Sequence, residues 1–361
     1  MIYYITFLIL LCFGFYNVYS DNKKVNENLF LFSLLLMILL TGLRWETGTD
    51  WRNYYRFFEQ CLEDRKTTFE IGYVTLNKLI RSFTDQYTVL LIVHAAITYG
   101  IIGRSIYRLG RFPLLSLALL FALMIGYMGM NRQYISLALN LFSVPFILER
   151  KLWPFLLCTA ASCLFHSTGL IFLVAYFFTT SFNRNVYIIL LLVAFLVAMS
   201  GITRMIPPEI FYFLGDNSAD KADTYLNDSN SISTMTVLLG TAKRSVWIVL
   251  ALIYYNSLKE VKNFTFFFNA YVFSMFVFLV CNNSPLQVIT SRGMLAFNIF
   301  EIFIIPILLY VFEDNVTRKV FFAGIMVYCL WMISRQFDVY VETLGIDIFN
   351  PYRCVLFENV I

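Results

Sequence analysis

Charged residues and histidines are scarce in this sequence. Only 14% of its 361 residues are Asp, Glu, Lys or Arg and two are histidines, whereas 59% are hydrophobic. A soluble globular protein carries about 25% charged residues, so the composition excludes an ordinary soluble protein. Apolar stretches long enough to cross a bilayer as a helix, about 20 residues each, recur from one end to the other. They are continuous and do not alternate with polar residues, which predicts helices and not barrel strands.

Sequence patterns for metal, nucleotide and nucleic-acid sites are also missing. The two histidines, His94 and His166, are far apart in sequence, no two aspartates are separated by a single residue, and the seven cysteines lack metal-ligand spacing. No Walker motif and no internal repeat is present. The cations are dispersed along membrane segments, which disfavours nucleic-acid binding. We expect no metal, no other cofactor and no nucleic-acid partner.

The hydrophobic runs predict an all-α, polytopic membrane helix bundle of about twelve spans. The predicted spans are 2–20, 29–43, 86–103, 112–129, 133–148, 152–165, 167–181, 187–204, 237–256, 264–281, 293–312 and 320–334. Several are shorter than a full crossing, which bilayer thinning or burial against neighbouring helices can accommodate. We predict one integral membrane domain over residues 1–361.

The distribution of basic residues predicts the orientation of the spans. The short connections on one side hold 12 Lys/Arg against 6 Asp/Glu, and the longer connections on the other side hold 13 against 16. Basic short loops normally face the cytoplasm. Both termini and two long loops, 44–85 and 204–236, are therefore expected outside the cytoplasm.

The segment 44–58, here called the collar, concentrates charge, aromatic rings and glycine at the end of an apolar run. Its candidate functional residues are Arg44, Glu46, Asp50, Trp51 and Tyr54. A guanidinium suits phosphate oxygens, a carboxylate next to a sugar hydroxyl can serve as a general base, and aromatic rings stack on sugars. The alternative is an interfacial belt that anchors a helix end. After the collar, the apolar spacing in 69–83 predicts an amphipathic helix.

Other polar residues lie at predicted span ends. Arg132 and His166 are both expected at the outer face; their structural alternatives are a snorkelling arginine and a structural histidine. His94, inside an apolar helix, is interpreted as a buried core histidine.

Cations also interrupt the later spans. Lys243, Arg244 and Arg292 are predicted near the outer level, and Glu301 is expected to neutralise one of them or to be protonated. Arginines converging on one face would suit a diphosphate group.

Several of these residues stand in motifs that resemble the EpsG-type branch of the Wzy polysaccharide polymerases. The matching pieces are Gly42-Leu-Arg44, Gly48-Thr-Asp50 with Tyr54 and Phe58, Glu70-Ile-Gly-Tyr73, Arg132, Phe165-His166-Ser167-Thr168, Arg292 and Asn350-Pro351-Tyr352. They cover nearly the whole chain in order. Trp51 departs from the family, which often has Tyr or Phe there.

The resemblance implies an O-antigen or exopolysaccharide polymerase of a bacterial inner membrane, similar to metal-independent C-type lipid-sugar glycosyltransferases. Its donor and acceptor would both be oligosaccharides on undecaprenyl diphosphate. Arg132, Arg292 and Arg44 would stabilise the leaving diphosphate, with Lys243, Arg244, Tyr54, Trp51 and Tyr73 also contacting substrate. Asp50, His166 or Glu46 would act on the acceptor hydroxyl. A chain-length regulator is a candidate further partner on which the sequence itself is silent.

Three alternative functions remain open at this point. A flippase for lipid-linked oligosaccharide would also need a cationic cavity, but paired repeats would be expected. A ligase that moves glycan onto another lipid would use similar chemistry. A membrane acyltransferase would need a more central histidine and an entry for a cytoplasmic acyl donor.

Overall fold

The computed structural model describes residues 1–63, 66–205, 234–281, 284 and 289–357. All regular secondary structure in these ranges is helical, and the only β-type pairing found within them is an isolated antiparallel bridge between Arg44 and Cys354. The predicted all-α class is therefore confirmed. Most of the predicted outer loop 204–236 lies outside the described residues.

The chain packs into two compact units. The first comprises Met1–Leu170 and Phe312–Ile361, and the second comprises Ile171–Val311. The helices of the first unit are α1 (Ile2–Tyr19), α2 (Lys23–Gly42), α3 (Trp51–Gln60), α4 (Ile71–Arg81), α5 (Tyr87–Leu109), α6 (Pro113–Met124), α7 (Asn131–Leu148) and α8 (Leu152–Cys163). Short 3₁₀ helices at Ile125–Tyr127 and Ser167–Phe177 follow α6 and α8.

The second unit begins within the Ser167–Phe177 helix and holds the next six α-helices. These are α9 (Arg184–Ser200), α10 (Thr234–Ile253), α11 (Tyr255–Leu258), α12 (Phe264–Cys281), α13 (Leu295–Asn298) and α14 (Glu301–Val311). A 3₁₀ helix at Ile202–Met205 follows α9 and a π-helical turn at Ile289–Gly293 precedes α13. The chain then returns to the first unit as α15 (Asn315–Leu344).

Five helices in the described part of the chain are long and apolar enough to cross a membrane. They are Ile2–Tyr19, Lys23–Gly42, Tyr87–Leu109, Phe264–Cys281 and the Asn315–Glu342 part of α15. Shorter apolar helices, among them Arg184–Ser200 and Leu295–Val311, accompany them. These helices are consistent with a membrane protein, while twelve spans and a single domain over the whole chain remain predictions.

Helix α15 extends ten residues beyond the predicted span end at 334. The sequence becomes more polar after residue 334, so hydropathy predicts that the span ends there. The helix continues because its polar side chains form hydrogen bonds within the first unit. Gln336 donates from Nε2 to the carbonyl of Ala122 (2.7 Å) and accepts from the N–H of Gly126 (3.1 Å), while the Tyr340 hydroxyl donates to the Gly126 carbonyl (2.9 Å). They satisfy backbone groups that the end of α6 leaves unpaired.

Two glycines bring the collar against the start of α7. Gly48 has a φ of +100°, a conformation that favours glycine. A Cβ added at Gly129 would lie 2.7 Å from the Gly48 Cα, so the two backbones touch. This contact brings the collar next to the segment that carries Asn131 and Arg132.

We expect Gly129→Ala to destabilise the protein by about 1–3 kcal/mol, because the added methyl group meets backbone and not a flexible side chain. The matched control is Gly100→Ala on α5, where a Cβ meets nothing within 4 Å. Thermal unfolding of the purified protein in detergent measures both. An unfolding midpoint for Gly129→Ala equal to that of the control would contradict the close contact.

Candidate functional site

An ion pair between Arg132 and Glu70 lies at the centre of the polar residues of the first unit. Arg132 is in the first turn of α7, and Glu70 immediately precedes α4. The Nη1 of Arg132 is 2.5 Å from Oε2 of Glu70, and its Nε donates to the Tyr54 hydroxyl at 3.4 Å. The guanidinium also lies 4.6 Å from the ring centroid of Phe69, a cation–π contact. The side chains of Arg132 and Glu70 remain 18% and 21% exposed, so the pair is partly accessible.

The turn containing His166 lies beside this ion pair. The backbone N–H of Ser167 donates to Oε1 of Glu70 (3.4 Å), and that of Gly72 donates to the carbonyl of Leu164 (2.7 Å). These bonds join the start of α4 to the end of α8. The Nδ1 of His166 is 2.8 Å from the Thr168 hydroxyl oxygen, which orients the imidazole ring. The polar cluster of Glu70, Arg132 and the Ser167 N–H thus brings together three distant parts of the sequence, while the imidazole of the neighbouring His166 is buried.

Arg44 lies in a buried layer next to this cluster. Only 1% of the residue is exposed, Nη1 donates to the Thr41 carbonyl (2.5 Å), and Nη2 donates to Oδ1 of Asn131 (2.6 Å). Burial lowers the pKa of Arg44, although an arginine stays protonated in a protein. The Nε2 of His94 is 2.8 Å from the backbone oxygen of Asn131, so His94 is buried as predicted, although its buried Nδ1 has no hydrogen-bond partner among the described residues. Asn131 therefore connects the buried cation to Arg132, its neighbour in sequence.

The aromatic residues of the collar pack against one another. The Trp51 ring stacks on Tyr55 with centroids 5.0 Å apart, and Tyr73, fully buried, lies 5.2 Å from Tyr54. Burial raises the pKa of Tyr54, and the adjacent Arg132 opposes that shift. Because protein rings cover these faces, contact of Trp51, Tyr54 and Tyr73 with a sugar remains a prediction.

The two collar carboxylates lie in different surroundings. Asp50 immediately precedes α3, but its side chain makes no capping hydrogen bond to that helix. Glu46 is exposed, pairs with Arg353, and lines a surface cleft of about 380 Å³. Asp50 and Glu46, which are close in sequence and were predicted to share one role, therefore lie in different local environments.

The predicted cations of the second unit form contacts of their own. The Nζ of Lys243 is 3.6 Å from Oε2 of the buried Glu301, so Glu301 lies beside one of the predicted cations, as expected. Arg244 donates to the Gly240 carbonyl (3.0 Å) and lies 4.2 Å from the centroid of Phe278. Arg292 is exposed on the π-helical turn. Its convergence with the arginines of the first unit remains a prediction.

Glu70 and Asn131 are site residues that the sequence alone does not predict. Each had a signal: Glu70 opens the Glu70-Ile-Gly-Tyr73 motif, and Asn131 directly precedes Arg132. Their partners, however, are 62 and 87 positions away in the chain, a distance that no local pattern bridges. Among the described residues, no group of three or more His, Cys, Asp or Glu side chains is placed to hold a metal ion.

We expect Asn131→Ala to destabilise the protein by about 2 kcal/mol, because the buried Arg44 loses a hydrogen-bond acceptor. Asn53→Ala is the control, since Asn53 is exposed on α3. Thermal unfolding in detergent should show a lower midpoint for Asn131→Ala alone. Equal midpoints for the two variants would mean that Asn131 does not support the arginine.

The residues of this cluster fall within one family match. No curated protein and no solved structure matches the chain. The sequence model of the EpsG family matches residues 27–353, a range that includes the collar, Glu70, Arg132, His166 and Arg292. The match covers most of the chain, so this protein belongs to the EpsG family.

Proposed function

We propose that the protein is an O-antigen or exopolysaccharide polymerase that joins undecaprenyl-diphosphate-linked oligosaccharide repeat units at the outer face of a bacterial inner membrane. Membership of the EpsG family supports a polymerase, and five long apolar helices support its place in a membrane. The observation that carries the proposal is the partly exposed Arg132–Glu70 pair beside the turn that contains His166. We further propose that the protein crosses the membrane about twelve times, that both termini lie outside the cytoplasm, and that its architecture is similar to that of C-type glycosyltransferases.

In the proposed reaction, a hydroxyl oxygen of the acceptor glycan attacks the anomeric carbon of the donor. The bond from that carbon to the diphosphate breaks, and the diphosphate leaves on its lipid. Arg132 stabilises the negative charge that develops on the leaving diphosphate. Electrostatic stabilisation of the transition state by a preorganised group shielded from water is usually the largest contribution to such catalysis. Glu70 holds the guanidinium in place before substrate binds. Arg292 is proposed as a second cation, and no metal is required.

Arg44 has a different proposed role from the one expected from sequence. Both of its terminal nitrogens already donate to protein oxygens, and 1% exposure leaves no approach for a diphosphate. We assign it to positioning: through Asn131 it fixes the first turn of α7, and thereby the backbone that carries Arg132.

The acceptor proton goes to His166 in this proposal. Its turn contacts Glu70, the partner of Arg132, and an imidazole near neutral pH is an effective general base. Asp50 and Glu46 remain the alternatives. Asp50 lies within electrostatic range of Tyr54, which contacts Arg132, whereas Glu46 is already paired with Arg353.

We expect Arg132→Ala and Arg292→Ala each to reduce polymerisation by about 10²-fold or more, the usual effect of removing one electrostatic stabiliser. The control is Arg104→Ala, an exposed arginine on α5. Purified variants in vesicles receive a synthetic lipid-diphosphate repeat unit, and a gel resolves the products, with and without EDTA.

A ladder of products from the wild type, insensitive to EDTA, is the expected result. Movement of the lipid across the vesicle without a ladder would identify a flippase, and a single transfer to another lipid would identify a ligase. Wild-type chain lengths from both arginine variants would remove these residues from the reaction.

The proton acceptor is tested by comparing His166→Gln with Asp50→Asn in the same ladder assay. Loss of a general base costs about 10²–10⁴-fold, so His166→Gln should lose at least about 10²-fold and Asp50→Asn less than about tenfold. Both replacements keep the approximate shape of the side chain. The reverse order of activities would assign the proton to Asp50.

A further inference from the structure

An apolar groove of about 1060 Å³ runs along the first unit between α1, α2 and the segment 350–357. Ile5, Leu39 and Phe357 line it and are 46%, 42% and 88% exposed. The hydroxyl of Tyr352 donates to the Leu40 carbonyl (2.7 Å), which fixes the C-terminal wall to α2. In a membrane, such a groove accepts a hydrocarbon chain.

The groove adjoins the polar cleft of about 380 Å³, and Asn350 and Pro351 line both. The charged lining of the cleft consists of Glu46, Arg52, Asp347 and Arg353.

Most of these charges are already engaged. Glu46 pairs with Arg353, and Asp347 accepts from the backbone N–H groups of Phe349 (2.9 Å) and Asn350 (2.8 Å). Arg52 is exposed and has no ion pair within the described ranges. The cleft therefore offers an available cation next to carboxylate oxygens.

A ligand that fits both spaces has a long apolar chain attached to an anionic, hydroxyl-rich head. We propose that groove and cleft form one binding site for a lipid-linked saccharide, with its chain beside Ile5 and Leu39 and its head in the cleft. The Arg52 guanidinium binds phosphate oxygens, and Glu46 and Asp347 accept hydrogen bonds from sugar hydroxyls. This inference rests on the proposed function, since the site would bind one of the two lipid-linked glycans that the polymerase joins.

The test places a photoreactive phenylalanine analogue at Ile5, inside the groove. The matched control places it at Leu31 on α2, which is 65% exposed but does not line the groove. Full-length protein in vesicles is irradiated with a radiolabelled synthetic polyprenyl-diphosphate saccharide. We expect labelling at Ile5 to exceed that at Leu31 by about tenfold, the ratio that a tenfold difference in occupancy would give. Excess unlabelled lipid-linked saccharide should compete, whereas phosphatidylglycerol should not. Arg52→Ala should reduce the labelling at Ile5 severalfold.

Equal labelling at Ile5 and Leu31, or equal competition by phosphatidylglycerol, would overturn the inference by reducing the groove to a general lipid contact. The ladder assay on the same vesicles tests the polymerase separately. A ladder without selective labelling would leave the polymerase standing and remove this site. Selective labelling without a ladder would support the site and contradict the polymerase.

Discussion

The ion pair between Arg132 and Glu70 joins the parts of the first unit that carry its polar chemistry. One partner belongs to the start of α7 and the other to the start of α4, and the same carboxylate accepts a hydrogen bond from the turn next to His166. The pair is partly exposed, so its attraction alone adds little to stability. Its importance lies in geometry: it keeps a guanidinium, a carboxylate and the turn that contains His166 together, with the guanidinium partly exposed.

A second constraint is the buried charge of Arg44. Removing a cation from water is unfavourable unless hydrogen bonds replace the lost hydration. Here Thr41 and Asn131 accept from the two terminal nitrogens, whereas the buried Nε has no partner among the described residues. The close approach of Gly48 and Gly129 keeps the collar near enough for this arrangement. The collar therefore stabilises the start of α7 from inside the protein, while its exposed edge, at Glu46 and Arg52, borders the polar cleft.

Local patterns predicted the parts of this structure that depend on local physics. The apolar spacing of 69–83 indicated a helix, and α4 occupies Ile71–Arg81. The apolar run 264–281 coincides with α12. Prediction was less successful where tertiary partners decide the outcome. The second half of α15 continues because Gln336 and Tyr340 bind backbone groups near the end of α6. Hydropathy is a local property and does not predict hydrogen bonds to residues more than two hundred positions away in the sequence.

For the candidate site, too, the sequence predicted individual residues but not the contacts between them. Sequence motifs selected Arg44, Arg132 and His166 individually, but a guanidinium expected at a surface is buried in the case of Arg44, because its acceptors come from elsewhere in the fold. Glu70 escaped selection since its role depends on a partner 62 positions away. Residue type and local spacing can propose which side chains carry chemistry, but they do not show which of them meet.

The central claim is that Arg132 recognises a lipid-borne diphosphate, and equilibrium binding tests it most directly. Polyprenyl diphosphate and polyprenyl monophosphate, both without glycan, are titrated into wild-type protein and Arg132→Ala in detergent, and the two Kd values are compared for each protein. The account predicts that the wild type prefers the diphosphate by about tenfold, or about 1.4 kcal/mol, and that Arg132→Ala loses this preference while remaining folded. An undiminished preference in the variant would contradict it.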